Sequence, residues 1–385
     1  MVMTKQLPQL GRKIAGNARR HFVWAGFVLA FITGSMWAAS QVTSLDIGGG
    51  ASNAAAASSS QTASGYGFST SFDGLSATAI NQKLTAIKAT GATWLRYDLS
   101  WDSVQAGGPS SYDWSESDAI TTAAEAHGLK VLMIIDFVPA WAREADCTDS
   151  KMCGPAEAST YGRFAAAAVS RYKPMGVEDW EIWNEPNISY RFHPAADPQL
   201  YVAMLKSAYV DIKAVDPNAT VIAASTAPSA SDGADYTPSD FLRAMYADGA
   251  DGYFDAISTH PYTYPETPDE SNPADAWGQL ATMHSIMVNH GDGDKQIWIT
   301  EFGAPTDGPN VPGDHVSEAI QAQIVTQAID DFHQMSWSGP FFWYDYQDDG
   351  TSTDDSQNFF GLVRANGSFK PSYYAFERAV AKYSK

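Results

Sequence analysis

From residue 66 to the C-terminus the chain repeats one two-part unit: a short β-branched or aromatic run, a loop, then a longer segment with helical apolar spacing. Eight rounds can be counted. The strand-like runs fall at 66–71, 93–98, 130–136, 177–184, 220–225, 254–260, 296–301 and 340–345. The helical segments fall at 77–90, 115–127, 156–172, 199–215, 238–249, 274–289, 317–335 and 371–383. Some carry their own boundary signals: Ser115 with Asp118 three residues on opens the second helix, and Gly249 closes the fifth. Strands that alternate with helices, with no block of consecutive strands, imply a parallel sheet. Eight units of this size fit a closed α/β structure, the (β/α)8 TIM barrel. An open doubly wound sheet is less favoured, because no Gly-x-Gly-x-x-Gly turn follows the first strand.

The residues before the first strand divide in two. Residues 1–39 join a basic start (Lys5, Arg12, Lys13, Arg19, Arg20) to an uncharged apolar run over 22–39, the pattern of an export signal or a membrane anchor. Arg19-Arg20-His21-Phe22-Val23 is similar to a twin-arginine export motif, although the same arginines also serve simply to set orientation. Residues 40–64 are dominated by Gly, Ala, Ser, Asn and Gln and read as a linker. The expected organisation is therefore a signal peptide or anchor (1–39), a linker (40–64) and one catalytic barrel (65–385), with the barrel outside the cytoplasm and membrane contact confined to the N-terminal segment.

The chain of 385 residues carries a net charge of −20, and the five basic residues above mask a still more acidic remainder, 19 basic against 44 acidic residues or −25. Such a surface repels phosphate backbones and anionic headgroups, which argues against nucleic acid and against membrane-surface binding by the barrel. The two cysteines, Cys147 and Cys153, share one polar segment. Outside the cytoplasm they would form a staple across a short loop; otherwise they remain a thiol pair. They do not make a zinc site.

In a barrel of this kind the loops after the strands build the site, so polar residues at strand ends are the candidates. Glu185 ends the fourth run, in Trp180-Glu181-Ile182-Trp183-Asn184-Glu185-Pro186-Asn187, and Glu301 ends the seventh, in Ile297-Trp298-Ile299-Thr300-Glu301-Phe302-Gly303. Arg96, Trp141, Asn184, His260, Tyr262 and Trp343 gather at other strand ends. Two carboxylates among amides, a histidine and flat rings suit cleavage of a glycosidic bond. One group protonates the leaving oxygen while the other attacks or stabilises the anomeric carbon, and rings cover the apolar faces of pyranoses. Glu181 lies further down the same strand and suits a buried ion pair or hydrogen bond; Arg96 is either its partner or part of the site. Asp136 suits a cap on the loop after strand three. Trp183 is expected to line the cleft with Trp141 and Trp343, and Trp94, Trp180 and Trp298 to pack. The acidic run 345–355 lacks the spacing of a calcium loop and reads as a solvated turn.

Trp183-Asn184-Glu185-Pro186, His260-Pro261-Tyr262 and Glu301 together resemble the clan A glycoside hydrolases, particularly families 39 and 5. The segments 196–201, 214–221, 360–364 and 370–376 resemble these families too, so the likeness runs from about residue 66 to the end. It implies a retaining double displacement with Glu185 as acid/base and Glu301 as nucleophile, the two carboxyl groups about 5 to 5.5 Å apart. It also implies that Asn184 holds the sugar 2-hydroxyl, that Arg96 and Tyr262 keep Glu301 charged, and that His260 and Trp343 line the same subsite. The expected substrate is an oligosaccharide or polysaccharide. No metal and no cofactor is called for. A non-catalytic carbohydrate-binding barrel and a transglycosylase with the same residues are the alternatives.

Overall fold

The computed structural model describes residues 65–147, 150–269, 272 and 275–384. The apolar run at 22–39 and the linker at 40–64 lie outside the described residues, and no helix among the described residues is long and apolar enough to cross a membrane.

Eight parallel strands close into a barrel in chain order: β1 (Tyr66–Ser69), β2 (Trp94–Ser100), β3 (Lys130–Asp136), β4 (Asp179–Ile182), β5 (Thr220–Thr226), β6 (Ala256–Thr259), β7 (Ile297–Phe302) and β8 (Ser338–Trp343). The ring shuts where Tyr66 of β1 pairs with Phe341 of β8. The helices are α1 (Ala77–Ala89), α2 (Trp101–Val104), α3 (Ser115–Ala126), α4 (Ala158–Tyr172), α5 (Pro198–Val215), α6 (Pro238–Ala247), α7 (Gln279–Asn289), α8 (Glu318–Gln334) and α9 (Pro371–Tyr383). All but α2 match the sequence reading. That single turn follows β2 directly, with Ser100 Oγ accepting from the Ser103 amide, and is too short to show a period.

The helix boundaries follow ordinary capping chemistry. Asp197 and Thr237 cap α5 and α6, each with proline at the first helical position, and Ser76 and Ser317 cap α1 and α8. Ser115 is not the cap expected of it. It is already helical, and its amide is held by the Asp113 carboxylate at 3.0 Å. Gly249, with φ of 79°, takes the left-handed position just past α6.

Inward-pointing side chains stack in layers, because successive residues of a strand alternate faces. The lowest layer is apolar: Trp94, Leu132, Ile222, Ala256, Trp298 and Phe342, with Trp94 edge-on to Trp298 at 5.5 Å. Two indoles fit there only because small residues face them. A Cβ on Gly67 would strike the Trp94 backbone, and one on Gly339 would strike the Trp298 ring. Two residues further along their strands come Arg96, Ser258 and Thr300, and the barrel changes from apolar to polar at that level. The outer core, between barrel and helices, includes Phe164, Tyr201, Leu205, Phe241, Leu280, Ile324 and Phe376, all buried.

The loop 137–156 after β3 is pinned twice. Cys147 and Cys153 are joined, Cα atoms 5.7 Å apart, and Arg143 pairs with Asp102 of α2 at 2.9 Å.

Candidate active site

Arg96 organises the polar layer. Its guanidinium is 1% exposed and donates to Glu181 at 2.6 Å, Glu301 at 2.6 Å, Ser69 Oγ at 2.9 Å and Asn184 Oδ1 at 2.9 Å. A buried cation needs such a set, since an unpaired charge at that depth costs several kcal/mol. Glu181, wholly buried, takes its second hydrogen bond from Ser258 Oγ at 2.6 Å, so it serves structure as a fixed counter-charge.

The two candidate carboxylates reach the mouth because strand alternation breaks beneath each. Trp183 and Glu185 have φ of 66° and 52°, which ends the β4 ladder at Ile182, earlier than the run to residue 184 read from the sequence. On β5, Ala224 and Ser225 also have positive φ, and Ser225 O accepts from the Glu185 amide at 3.0 Å. In β7 the register shifts between Ile299 and Phe302, so that Thr300 and Glu301 both face His260.

His260 stands between the two carboxylates. Its Nδ1 lies 3.0 Å from Glu185 Oε1 and 3.6 Å from Glu301 Oε2, while Nε2 lies between Ser225 Oγ and Thr300 Oγ1. Glu301 Oε2 also accepts from the Tyr262 hydroxyl at 2.9 Å, and Glu185 Oε2 accepts from Arg191 Nε at 3.1 Å. Burial alone would raise the Glu301 carboxyl. The charges of His260, Arg96 and Arg191 and the Tyr262 hydrogen bond outweigh it and hold the group down to about 2. Glu301 is therefore an anion across the physiological range.

One ligand atom each from Glu185, His260 and Glu301 lies within 4.8 Å of the others. That spacing could seat a cation, but Arg96 and Arg191 already bring two positive charges to the same carboxylates and would repel a divalent ion.

Of the other expected residues, Asn184 lies in the cluster on Arg96, and Tyr262 stacks on Phe302. His260 is wholly buried, so it contacts the glutamates rather than a sugar. Trp141 is 37% exposed on the loop after β3, its indole donating to Gln105 O, and stands outside the hydrogen-bonded cluster. Trp343 is wholly buried against Phe302, with its indole donating to Phe360 O. It cannot offer a face to a ring. By alternation from Phe342 of the barrel floor, the inward aromatic of β8 is Tyr344, which is part-exposed and within electrostatic reach of Glu301. Trp183 is likewise buried, against Phe192. Arg191 and Tyr344 were missed in the sequence; alternation would have found Tyr344, whereas Arg191 returns to Glu185 through a loop that no periodicity describes.

No curated protein matches the sequence. Among solved structures, a family 39 glycoside hydrolase from Bacteroides cellulosilyticus aligns over 84% of this chain at 25% identity and a TM-score of 0.65, and the chain spans 64% of that protein's length. A family 39 β-xylosidase from Caulobacter crescentus aligns over 84% of this chain and 72% of its own at 21% identity, TM-score 0.63. A family 5 enzyme from Streptomyces cattleya, solved with GlcNAc, aligns over 84% and 81% at 18% identity, TM-score 0.61. The last two share the fold. Residues 158–381, which hold both glutamates, His260 and Tyr262, match the family described as glycosyl hydrolases family 39, and the chain belongs to that family.

Proposed function

We propose that this chain is a retaining glycosidase acting on an oligosaccharide or polysaccharide, with Glu301 as nucleophile and Glu185 as acid/base. The observation that carries the reading is the approach of a Glu185 oxygen and a Glu301 oxygen to within 4.8 Å. An approach of single oxygens to that distance accords with direct attack in a retaining pair, whose carboxyls stand about 5 to 5.5 Å apart, better than with an inverting pair at roughly 6.5 to 9.5 Å. In the first step a Glu301 oxygen bonds to the anomeric carbon as the glycosidic bond breaks, and the Glu185 proton passes to the departing oxygen. In the second, water gives a proton to Glu185 and its oxygen to the anomeric carbon, which releases Glu301.

Asymmetric support favours these roles over the reverse. Glu301 is fixed by Arg96 of the polar layer and by the Tyr262 hydroxyl, with the charges of His260 and Arg191 nearby, as an anionic nucleophile requires, whereas Glu185 sits on a loop between His260 and the part-exposed Arg191. Asn184, held at 2.9 Å by Arg96, retains an amide N–H2 to meet a sugar hydroxyl beside the reacting carbon. We propose a β-linked, neutral sugar on the basis of the family and the acidic surface. Export beyond the cytoplasmic membrane fits the basic and apolar N-terminal sequence together with the Cys147–Cys153 bond.

The test is proton NMR of the first-formed product from a panel of β-linked oligosaccharides and aryl β-glycosides, with mass spectrometry after a 2-fluoro glycoside. Retention and an ester on Glu301 are expected. Inversion, or an ester elsewhere, would sink the assignment.

A further inference from the structure

Two acids outside the catalytic pair face the same mouth. Asp98 lies two residues beyond Arg96 on the same face of β2, one pleat above the guanidinium that grips Glu301. It is open to solvent, yet the charges acting on it come from Arg96, Glu301, Arg191 and Asp73, so it stands on a cleft wall and not on the outer surface. Asp136, at the end of β3, shares that face: Asp98 pairs in register with Ile134, and Ser100 with Asp136. It is 1% exposed, and among the described residues neither of its carboxylate oxygens has a hydrogen-bond partner. A buried carboxyl with no partner costs a few kcal/mol unless something fills the role. Had Asp136 capped the following loop, its oxygens would accept from that loop's amides, and they accept from none of the described ones. Lys151, carried on the disulfide-pinned loop with its ammonium 3.6 Å from the Phe137 ring, brings positive charge near it without bonding to it.

Resting on the retaining-glycosidase reading, we infer that Asp98, backed by the buried Asp136, is a specificity residue that accepts hydrogen bonds from hydroxyls of the sugar seated on Glu301, selecting a neutral glycone and rejecting a uronate. The vertical order supports this. The sugar must lie above Arg96 to meet Glu301, and Asp98 is the next inward side chain of β2 at that height. Electrostatics adds a second reason. Burial and the charge of Asp98 push Asp136 well above the ordinary carboxyl range, and Asp98, reached by solvent but enclosed by the cleft, is pushed up by that enclosure and by Glu301 against the pull of Arg96. A wall on which two acids already crowd each other favours hydroxyl donors and opposes a further carboxylate.

The test crosses substrate with enzyme. The probes are aryl β-glycosides of xylose, glucose, galactose, mannose and glucuronic acid, and then the 3-, 4- and 6-deoxy forms of the neutral glycoside that is cleaved fastest. Wild type should cleave a neutral glycoside at least 100-fold faster than the glucuronide. One deoxy form should lose about 10- to 100-fold in kcat/KM with wild type, the range for a hydrogen bond to a charged acceptor, and less than threefold with Asp98→Asn. Asp136→Asn, measured in parallel, keeps the design informative should either variant fold poorly. If every deoxy form loses the same factor with wild type and both variants, or the glucuronide is cleaved as fast as the neutral sugars, this inference is overturned and the mechanism stands. If folded wild type cleaves neither these glycosides nor the oligosaccharide panel, and no 2-fluoro glycoside labels it, the hydrolase reading falls and takes the inference with it.

Discussion

Removing Arg96 should damage stability and activity by separable routes. In Arg96→Met the side chain remains apolar and of similar length, but Glu181, wholly buried, loses its ion pair and keeps only the Ser258 hydroxyl. Breaking a buried pair while one charge stays costs about 3 to 5 kcal/mol. Glu301 also loses a partner, but its side chain is 15% exposed and retains Tyr262 and His260, so its share is smaller. Most of the loss therefore belongs to Glu181. Adding Glu181→Gln removes the stranded charge and should recover most of the stability in urea unfolding at pH 7. It should not recover turnover, because Glu301 and Asn184 still lack the guanidinium that fixes them. Equal instability of the single and double variants would refute the reasoning, since the cost would then lie outside the Arg96–Glu181 pair. Full activity in the double variant would refute the claim that Arg96 positions the nucleophile.

Three further outcomes are expected. Glu185→Gln should lose most activity on poor leaving groups and much less on activated aryl glycosides, and equal losses on both would remove Glu185 from the acid role. Tyr262→Phe removes a donor to the charged form of Glu301, so its carboxyl should rise from about 2 toward the ordinary value of 4.5; because attack needs the anion, the acid limb of kcat/KM should move to higher pH, and an unmoved limb would contradict the Tyr262 contact. Replacing Cys147 and Cys153 by serine opens a loop of six-residue separation and should cost about 2 kcal/mol in chemical unfolding, and the native protein should be found outside the cytoplasmic membrane with no alkylatable thiol; recovery from the cytoplasm with two free thiols would remove the export reading.

The regular part of the barrel was readable because each strand and helix repeats its own apolar period, and the two glutamates because each comes at the close of a β-rich run of sequence. The errors cluster where regularity stops. Trp343 looked like a subsite ring, but counting from Phe342 places Tyr344 inward. Asp136 looked like a loop cap, but neither of its oxygens has a partner among the described residues. Asp98 was available from alternation with Arg96, two residues away. Arg191 was not: its approach to Glu185 depends on the turn from Glu185 to Phe192, where the Arg191 amide bonds Ile188 O and its carbonyl accepts from the Trp183 indole. Such folding back is a tertiary fact with no period to betray it.

The positive-φ residues at the ends of β4 and β5 are steadied from outside the barrel. Tyr201 of α5 sends its hydroxyl through to donate to Ile182 O at 3.0 Å and to accept from the Ala224 amide at 2.8 Å, while Asn187 ties the loop after Glu185 to Ala227 and Tyr236. The helix ring is thus part of the tooling that aims Glu185, and engineering of the two regions cannot be treated as independent. Surface positions of α5 such as Val210 offer ordinary latitude for solubility or thermal hardening. Redesign that reaches Tyr201 would instead cost both stability and turnover while leaving every sugar-facing side chain untouched, so variant libraries for this scaffold should hold Tyr201 and Asn187 fixed together with the glutamates.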